Sequence, residues 1–242
     1  MSAFPKVVSQ EEWLNARKAL LAKEKELTRH IDAVSAERRR LPMVEITKHY
    51  AFEGPDGRVS LTDLFEGRRL LYVHHFMWID AIDSGCHRCT NAMDINFGPA
   101  NLMHFHSHDI AFAAVCRAPW PKLATLKQRK NWTFPMYSSN GTSFNYDFHV
   151  TLDEAKAPIQ YNYRNKSELL ERGMPEAILN GDWPGNSVFL RDGERVYHTY
   201  SAYARGLDLV DTPSNFLDMT VYGRQEDWED SPPGWPQKPT YG

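Results

Sequence analysis

The chain has 242 residues, of which 42% are hydrophobic and 24% charged, and its formal net charge is -3. This length suffices for a full hydrophobic core, the small net charge gives no reason to expect nucleic-acid binding, and no apolar run approaches the ~20 residues of a membrane span. Only three cysteines are present and residues 1–10 do not resemble a secretory signal, so we expect a soluble protein of the reducing cytoplasm rather than a disulfide scaffold.

A long amphipathic helix is predicted at the N-terminus. Ser9 and Glu12 have the spacing of a capping box, and apolar residues then recur close to helical spacing as far as Arg40. These apolar residues are Trp13, Ala16, Leu20, Leu27, Ile31 and Val34. The helix ends near Pro42, which makes residues 1–42 an N-terminal extension and a candidate homodimer interface.

Extended structure follows the helix. Residues 44–52 alternate apolar and polar positions, the turn sequence GPDG occupies residues 54–57, and residues 59–61 resume extended structure. A β-hairpin is predicted there, followed by a short helical turn over residues 62–65.

Strands then alternate with helices. Continuous apolar runs predict buried strands over residues 70–76 and 110–116, with a loop over 77–85 between the first of them and the next helix. The helices are predicted over residues 86–103, interrupted near Gly98 and Pro99, and over residues 118–130.

The second half of the domain is less regular. A third strand is predicted over residues 132–137, helices over 166–179 and 207–217, and two strands over 187–190 and 196–200 around the turn at Asp192 and Gly193. This order predicts an α/β domain over residues 43–222, with a mixed sheet and helices on both faces, as in thioredoxin-like folds. Residues 223–242 form a proline-rich C-terminal tail.

Cys86, His87, Arg88 and Cys89 are the most informative residues in the chain. Two cysteines three positions apart, where a helix starts after a buried strand, are typical of thiol–disulfide chemistry. The helix N-terminus and the cationic residues His87 and Arg88 favour the thiolate of Cys86. Cys86 is therefore predicted to attack a disulfide or peroxide, and Cys89 to resolve the product.

Other interpretations of these cysteines stay open. C-x-x-C is also half a zinc site, although the chain has no second C-x-x-C and no histidine pair at finger spacing. His104, His106 and His108 would share one side of an extended segment and, with Cys86 and Cys89, form the weak metal alternative. The cysteines could also be inert.

Several more residues are candidates for the site or for its surroundings. His74 and His75 lie on the strand before the cysteines, where a buried, hydrogen-bonded histidine is the favoured interpretation. Cys116 has the setting of a buried small hydrophobe. Trp78 and Trp132 are candidates for walls of a pocket near the thiols, and Arg205 and Asp147 for ligand orientation or structural pairing.

Six segments resemble the bacterial family known as domain of unknown function 899, and together they span nearly the whole chain. They are ARKALL at residues 16–21, EKELTR at 24–29, FEGPDG at 52–57, WTFP at 132–135, FNYDF at 144–148 and HTYSAYARG at 198–206. The family is classed as thioredoxin-like and described as predicted dithiol–disulfide oxidoreductases. The resemblance therefore implies a thioredoxin-like fold and dithiol–disulfide oxidoreductase activity. It does not indicate a substrate.

The resemblance places the family's cysteine pair on Cys86 and Cys89, with His87 and Arg88 where the family has Pro and Ser. A histidine between the sulfurs implies a more oxidising pair. Similarity to peroxiredoxins is second, because the threonine they carry three positions before the nucleophile is Asp83 here. The predicted function is thiol–disulfide exchange with a protein or small-molecule thiol and no cofactor; the alternatives are a thiol peroxidase and a non-enzymatic zinc-binding or interaction protein.

Overall fold

The computed structural model describes residues 5–238. Residues 43–211 form one compact unit, and residues 5–42 with residues 212–238 form a second. No helix in the described range is long and apolar enough to cross a membrane.

The predicted N-terminal helix is confirmed as α1, Gln10–Arg38. Both bonds of the capping box are present: the Ser9 hydroxyl accepts from the Glu12 backbone N–H at 3.2 Å, and the Glu12 carboxylate accepts from the Ser9 N–H at 3.0 Å. These bonds satisfy N–H groups that have no partner inside the helix. None of the residues of α1 is buried. The short helix α7, Thr212–Leu217, belongs to the same unit.

The unit formed by residues 43–211 alternates strands and helices. Its strands are β1 Val44–Glu45, β2 Ala51–Gly54, β3 Gly57–Ser60, β4 Leu70–His75, β5 Trp78–Ile79, β6 Ser84–Gly85, β7 Ile110–Cys116, β8 Met136–Ser138, β9 Thr151–Leu152, β10 Gln160–Tyr161, β11 Arg164–Asn165, β12 Gly181–Asp182, β13 Gly185–Asp192 and β14 Arg195–Tyr203. Its helices are α2 His87–Asn96, α3 Pro99–Ser107, α4 Trp120–Arg129, α5 Phe144–Asp147 and α6 Lys166–Glu171.

An eight-stranded mixed sheet organises this unit, with the order β1-β14-β13-β4-β7-β8-β2-β3. Strand β4 pairs in parallel with β7, to which α2 and α3 connect it, and antiparallel with β13, the first strand of the β13–β14 hairpin. This strand–helix–strand unit followed by an antiparallel hairpin is the predicted thioredoxin-like arrangement, which the topology confirms.

Alternate residues of β4 and β7 enter two separate hydrophobic cores. Phe112, Ala114 and Cys116 face the core beneath α2, α3 and α4, whereas Ala111 and Val115 face the core on the opposite side of the sheet. The second core is closed by short helical elements, among them α5. Both faces of the sheet are therefore covered, and the central strands read as continuous apolar runs.

Some predicted elements were too long. Residues 44–52 form β1 and β2 with an irregular connection instead of one strand. The helix predicted over residues 166–179 stops at Glu171, because Gly173 takes a positive φ of 83° and Pro175 follows; only a 3-10 turn, Glu176–Ile178, continues it. The predicted loop 77–85 contains β5 and β6, which pair with each other.

A polar chain crosses the sheet inside the second core. His75 Nε2 lies 2.7 Å from the Ser187 hydroxyl, which lies 2.8 Å from the Ser201 hydroxyl, and His198 Nε2 lies 2.7 Å from Ser201. On the other face, His74 Nδ1 lies 2.8 Å from Asn186 Oδ1. His74 and His75 are 5% and 1% exposed, so the prediction of buried, hydrogen-bonded histidines agrees with their placement.

We expect these histidines to make folding sensitive to acid. Burial lowers the pKa of His74 to about 4 and that of His75 to about 3, against about 6.5 in an unfolded chain. Below pH 6.5 the unfolded state therefore binds more protons than the folded state. The stability that the neutral histidines contribute is fully present above that pH. As the pH falls toward 4, the free energy of unfolding declines by up to about 1.4 kcal/mol per pH unit for each histidine.

Urea unfolding at pH 7.5, 6.0 and 5.0 measures this slope. His75→Leu removes one titrating group and should reduce the slope by about one proton. An unaltered slope in His75→Leu would contradict the assignment.

Candidate redox site

Cys86 lies at the start of α2, at the end of a closed loop. The chain leaves β4, passes through Met77 and the β5–β6 pair, and returns so that the Cys86 N–H donates to the Met77 carbonyl at 3.0 Å. The Cys86 carbonyl then accepts from Thr90 N–H at 2.9 Å, which is the first bond of the helix. The loop therefore fixes Cys86 next to the strand that precedes it.

Gly85 allows this close return of the chain. A Cβ on Gly85 would lie 2.4 Å from Cζ of Phe76 and 3.3 Å from Cδ2 of Leu126. Real Cβ atoms do not approach other atoms at 2.4 Å, so only glycine leaves room for the Phe76 ring beneath the cysteine.

A buried carboxylate anchors the same loop. Asp182 Oδ1 accepts from Arg117 Nε at 2.8 Å and from the Thr151 hydroxyl at 2.7 Å, and Asp182 Oδ2 accepts weakly from the Trp78 N–H at 3.4 Å. Arg117 also pairs with Asp80, in the turn between β5 and β6, at 2.7 Å. Burial raises the pKa of Asp182, and the Arg117 guanidinium opposes that shift. The ion pair thus links the loop to β7, β9 and β12.

A second ion pair holds the loop from the other side. Lys122 of α4 pairs with Asp83, which sits just before β6 with a positive φ of 47°. Asp83 stands three positions before Cys86, where peroxiredoxins carry a threonine, and its carboxylate accepts a hydrogen bond from Lys122.

The environment of Cys86 favours its thiolate. The pKa of Cys86 falls to about 6, first because the Cys89 thiol donates toward its sulfur, then because the backbone N–H groups of Cys89 and Arg88 lie close; His87 makes the smallest contribution, and burial opposes the shift. These N–H groups approach the sulfur without the geometry of a regular capping hydrogen bond. Cys86 is therefore mainly a thiolate at pH 7.

Cys89 has the opposite character. It is 3% exposed, and its pKa lies well above the usual value because its proton is held by Cys86, because it is buried and because a charged Cys86 repels a second thiolate. Both cysteines are free thiols in the structure. One accessible thiolate next to one buried thiol is the asymmetry that dithiol exchange needs.

The other predicted site residues are placed as follows. His87 and Arg88 are exposed on the first turn of α2. Trp78 is 6% exposed and packs in the core that also contains Cys89 and Trp132, so both tryptophans are core residues. Arg205 pairs with Asp208 at 3.1 Å in its own 3-10 turn.

Two further residues have structural partners. Asp147 accepts from Lys48, Tyr50 and Ser143, which is the structural alternative weighed for it. Cys116 is fully buried, and burial raises the pKa of its thiol, so its setting is that of a buried small hydrophobe.

His104, His106 and His108 do not form the extended segment on which the metal alternative depends. His104 and His106 lie within α3 and His108 ends it, so residues two positions apart point to different sides of a helix. Within residues 5–238 no three His, Cys, Asp or Glu side chains are grouped to hold a metal ion. The weak metal site of Cys86, Cys89, His104, His106 and His108 therefore has no support in the geometry.

A family model matches residues 2–241 of the chain. The chain belongs to the family described as bacterial protein of unknown function, DUF899. No curated protein matches it.

Solved structures with a similar chain trace include peroxiredoxins and a candidate disulfide isomerase. Peroxidoxin BcpB of Mycobacterium tuberculosis has a TM-score of 0.47 and 10% identity, over 70% of this chain and 93% of its own. A variant of peroxiredoxin Q from Xanthomonas campestris has a TM-score of 0.43 and 12% identity, over 69% of this chain and 89% of its own. A candidate protein disulfide isomerase from Bacteroides thetaiotaomicron has a TM-score of 0.41 and 15% identity, over 72% of this chain and 91% of its own. At such identities the activity has to be argued from the site itself.

Reasoning from sequence missed the anchor formed by Asp182 and Arg117. The two residues are 65 positions apart and neither lies in a recognisable motif, so no local signal joins them to Cys86. Gly85, directly before the first cysteine, was the one sign in the sequence that the chain comes back close to the end of β4.

We expect the Cys86 thiolate to be directly observable. The rate of alkylation of Cys86 by iodoacetamide, followed against pH, should have a midpoint near 6. Cys89→Ala removes the largest stabilising contact and should raise that midpoint, whereas Cys116→Ala should not shift it. A midpoint near the ordinary thiol value of 8.5 in the unmodified protein would contradict this description.

Gly85→Ala should disturb both stability and the site. Relieving the contact with Phe76 requires a shift of ring or loop, which we expect to cost about 1–3 kcal/mol in the free energy of unfolding. The Cys86 midpoint should rise as the sulfur moves from the helix N–H groups. Gly98→Ala is the matched control, because nothing lies within 4 Å of a Cβ there; equal stability of the two variants would refute the steric argument.

Proposed function

We propose that the protein is a thiol–disulfide oxidoreductase in which Cys86 is the nucleophile and Cys89 the resolving thiol. The observation that carries this proposal is the opposite protonation preference of two adjacent thiols: Cys86 is half-buried with a pKa of about 6, and Cys89 is buried and retains its proton. The exchange needs no cofactor.

The reaction proceeds in two displacements. The Cys86 thiolate attacks one sulfur of a substrate disulfide, the substrate S–S bond breaks, and the departing thiolate takes a proton from solvent. Cys89 then gives its proton to water and attacks the Cys86 sulfur, which forms the Cys86–Cys89 disulfide and releases the second substrate thiolate. The substrate gains two electrons and the protein loses them, and an external dithiol or thiol pair restores the reduced protein.

The stabilised thiolate favours the reduced form of the pair. A thiolate of low pKa is a good leaving group, so the Cys86–Cys89 disulfide is readily opened and the pair is oxidising for its class. His87 contributes less than Cys89 and the backbone N–H groups. The oxidising character therefore rests first on the Cys89 thiol, then on the backbone N–H groups at the start of α2, and last on the histidine between the cysteines.

We place the reaction in the cytoplasm, with a protein or small-molecule thiol or disulfide as its partner. Exposed His87 and Arg88 flank the nucleophile and are proposed to contact the substrate; Trp78 supports the site from the core. We also propose that two copies associate through α1, because the apolar residues of that helix are exposed.

A redox titration tests the proposed function. The full-length protein is equilibrated in thiol/disulfide buffers, alkylated, and mapped by mass spectrometry for the Cys86–Cys89 linkage. We expect one reversible two-electron transition between about -270 and -120 mV. Cys86→Ser and Cys89→Ser should each abolish it, and Cys116→Ser should leave it unchanged.

Other outcomes separate the alternatives. Absence of the linkage at every potential overturns dithiol exchange. Rapid peroxide consumption with a sulfenic acid on Cys86, and no Cys86–Cys89 disulfide, would instead assign a thiol peroxidase.

A further inference from the structure

Helix α1 is about 43 Å long at 1.5 Å per residue, and it carries exposed apolar side chains at regular intervals on one face. Trp13, Leu20, Leu27 and Val34 follow one another at intervals of seven residues and form one stripe, which drifts by about 20° around the helix at each interval. They are 52%, 51%, 58% and 38% exposed. Ile31, 42% exposed, lies on the same stripe. Such a row of exposed apolar side chains is typical of a helix–helix interface.

The stripe is self-complementary when two copies run in opposite directions. Its four positions are symmetric about the midpoint between Lys23 and Glu24, so a two-fold axis there places Leu20 against the partner's Leu27 and Trp13 against the partner's Val34. A large side chain thus meets a small one at each end. Such an interface is isologous, with the same surface on both copies.

The charged residues at the two ends of α1 also favour antiparallel pairing of two copies. Glu11 and Glu12 lie in the first turn, and Arg39 and Arg40 follow the last. Antiparallel pairing brings the acidic end of one helix to the basic end of the other and places Lys23 opposite the partner's Glu24, whereas parallel pairing brings like charges together at both ends.

We infer that the occupant of the apolar face of α1 is the same face of a second copy, packed antiparallel about a two-fold axis between Lys23 and Glu24. This deepens the proposed association of two copies and is independent of the thiol chemistry, because none of its residues belongs to the cysteine site.

Sedimentation equilibrium of the full chain tests the inference. We expect a dimer at micromolar concentration, and at least a tenfold weaker association in the double variant Leu20→Glu, Leu27→Glu. The matched control is Asn15→Glu, Ala22→Glu, which adds the same charge on the opposite side of α1 and should remain dimeric. Cys86 alkylation and circular dichroism should be unchanged in both.

A charge exchange tests the direction. Glu11→Lys with Glu12→Lys should weaken an antiparallel dimer, and adding Arg39→Glu with Arg40→Glu should restore it; a parallel dimer would show no such rescue. A monomer at all concentrations, equal effects of the two double variants, or no rescue would overturn the inference. An absent redox transition in a dimeric protein would affect only the proposed function.

Discussion

The position of strand β4 at the centre of the sheet is the constraint on which the rest of the unit depends. It pairs with β7 on one edge and β13 on the other, and its side chains enter a core on each face. A strand satisfied on both edges and both faces cannot shift register without exposing apolar residues. Its end is therefore a rigid point from which the Met77–Gly85 loop leaves, and the loop returns Cys86 to the same point.

This rigidity allows two similar thiols to differ. Cys86 and Cys89 are three residues apart, yet one meets the N–H groups at the start of α2 and the other enters the core with Met93. Proximity couples them further, since the proton that Cys89 keeps is the one that stabilises the Cys86 thiolate. The chemistry proposed for the pair follows from where the helix begins, because a start one turn earlier or later would bury both sulfurs differently.

The buried polar groups have separate roles in this arrangement. The ion pair between Asp182 and Arg117 holds the loop before Cys86 in position, because it links that loop to three strands. The chain from His75 through Ser187 and Ser201 to His198 joins β4 to the β13–β14 hairpin instead. Both groups remain favourable only while each member keeps its partner, which makes them specific for this packing and, for the histidines, sensitive to acid.

By itself, the sequence determined the local elements: the capped helix α1, the buried runs of β4 and β7, the helix that starts at the cysteine pair and the β13–β14 turn all follow from spacing, caps and breakers that act over a few residues. The resemblance to DUF899 then indicated the thioredoxin-like order of the strands. Only the tertiary structure decided which distant residues meet, as Asp182 does with Arg117, and whether a histidine-rich segment is helical or extended. It also decided the unequal burial of Cys86 and Cys89. The physical reason is that register, burial and long-range ion pairs depend on neighbours that are far apart in the chain, which no local pattern records.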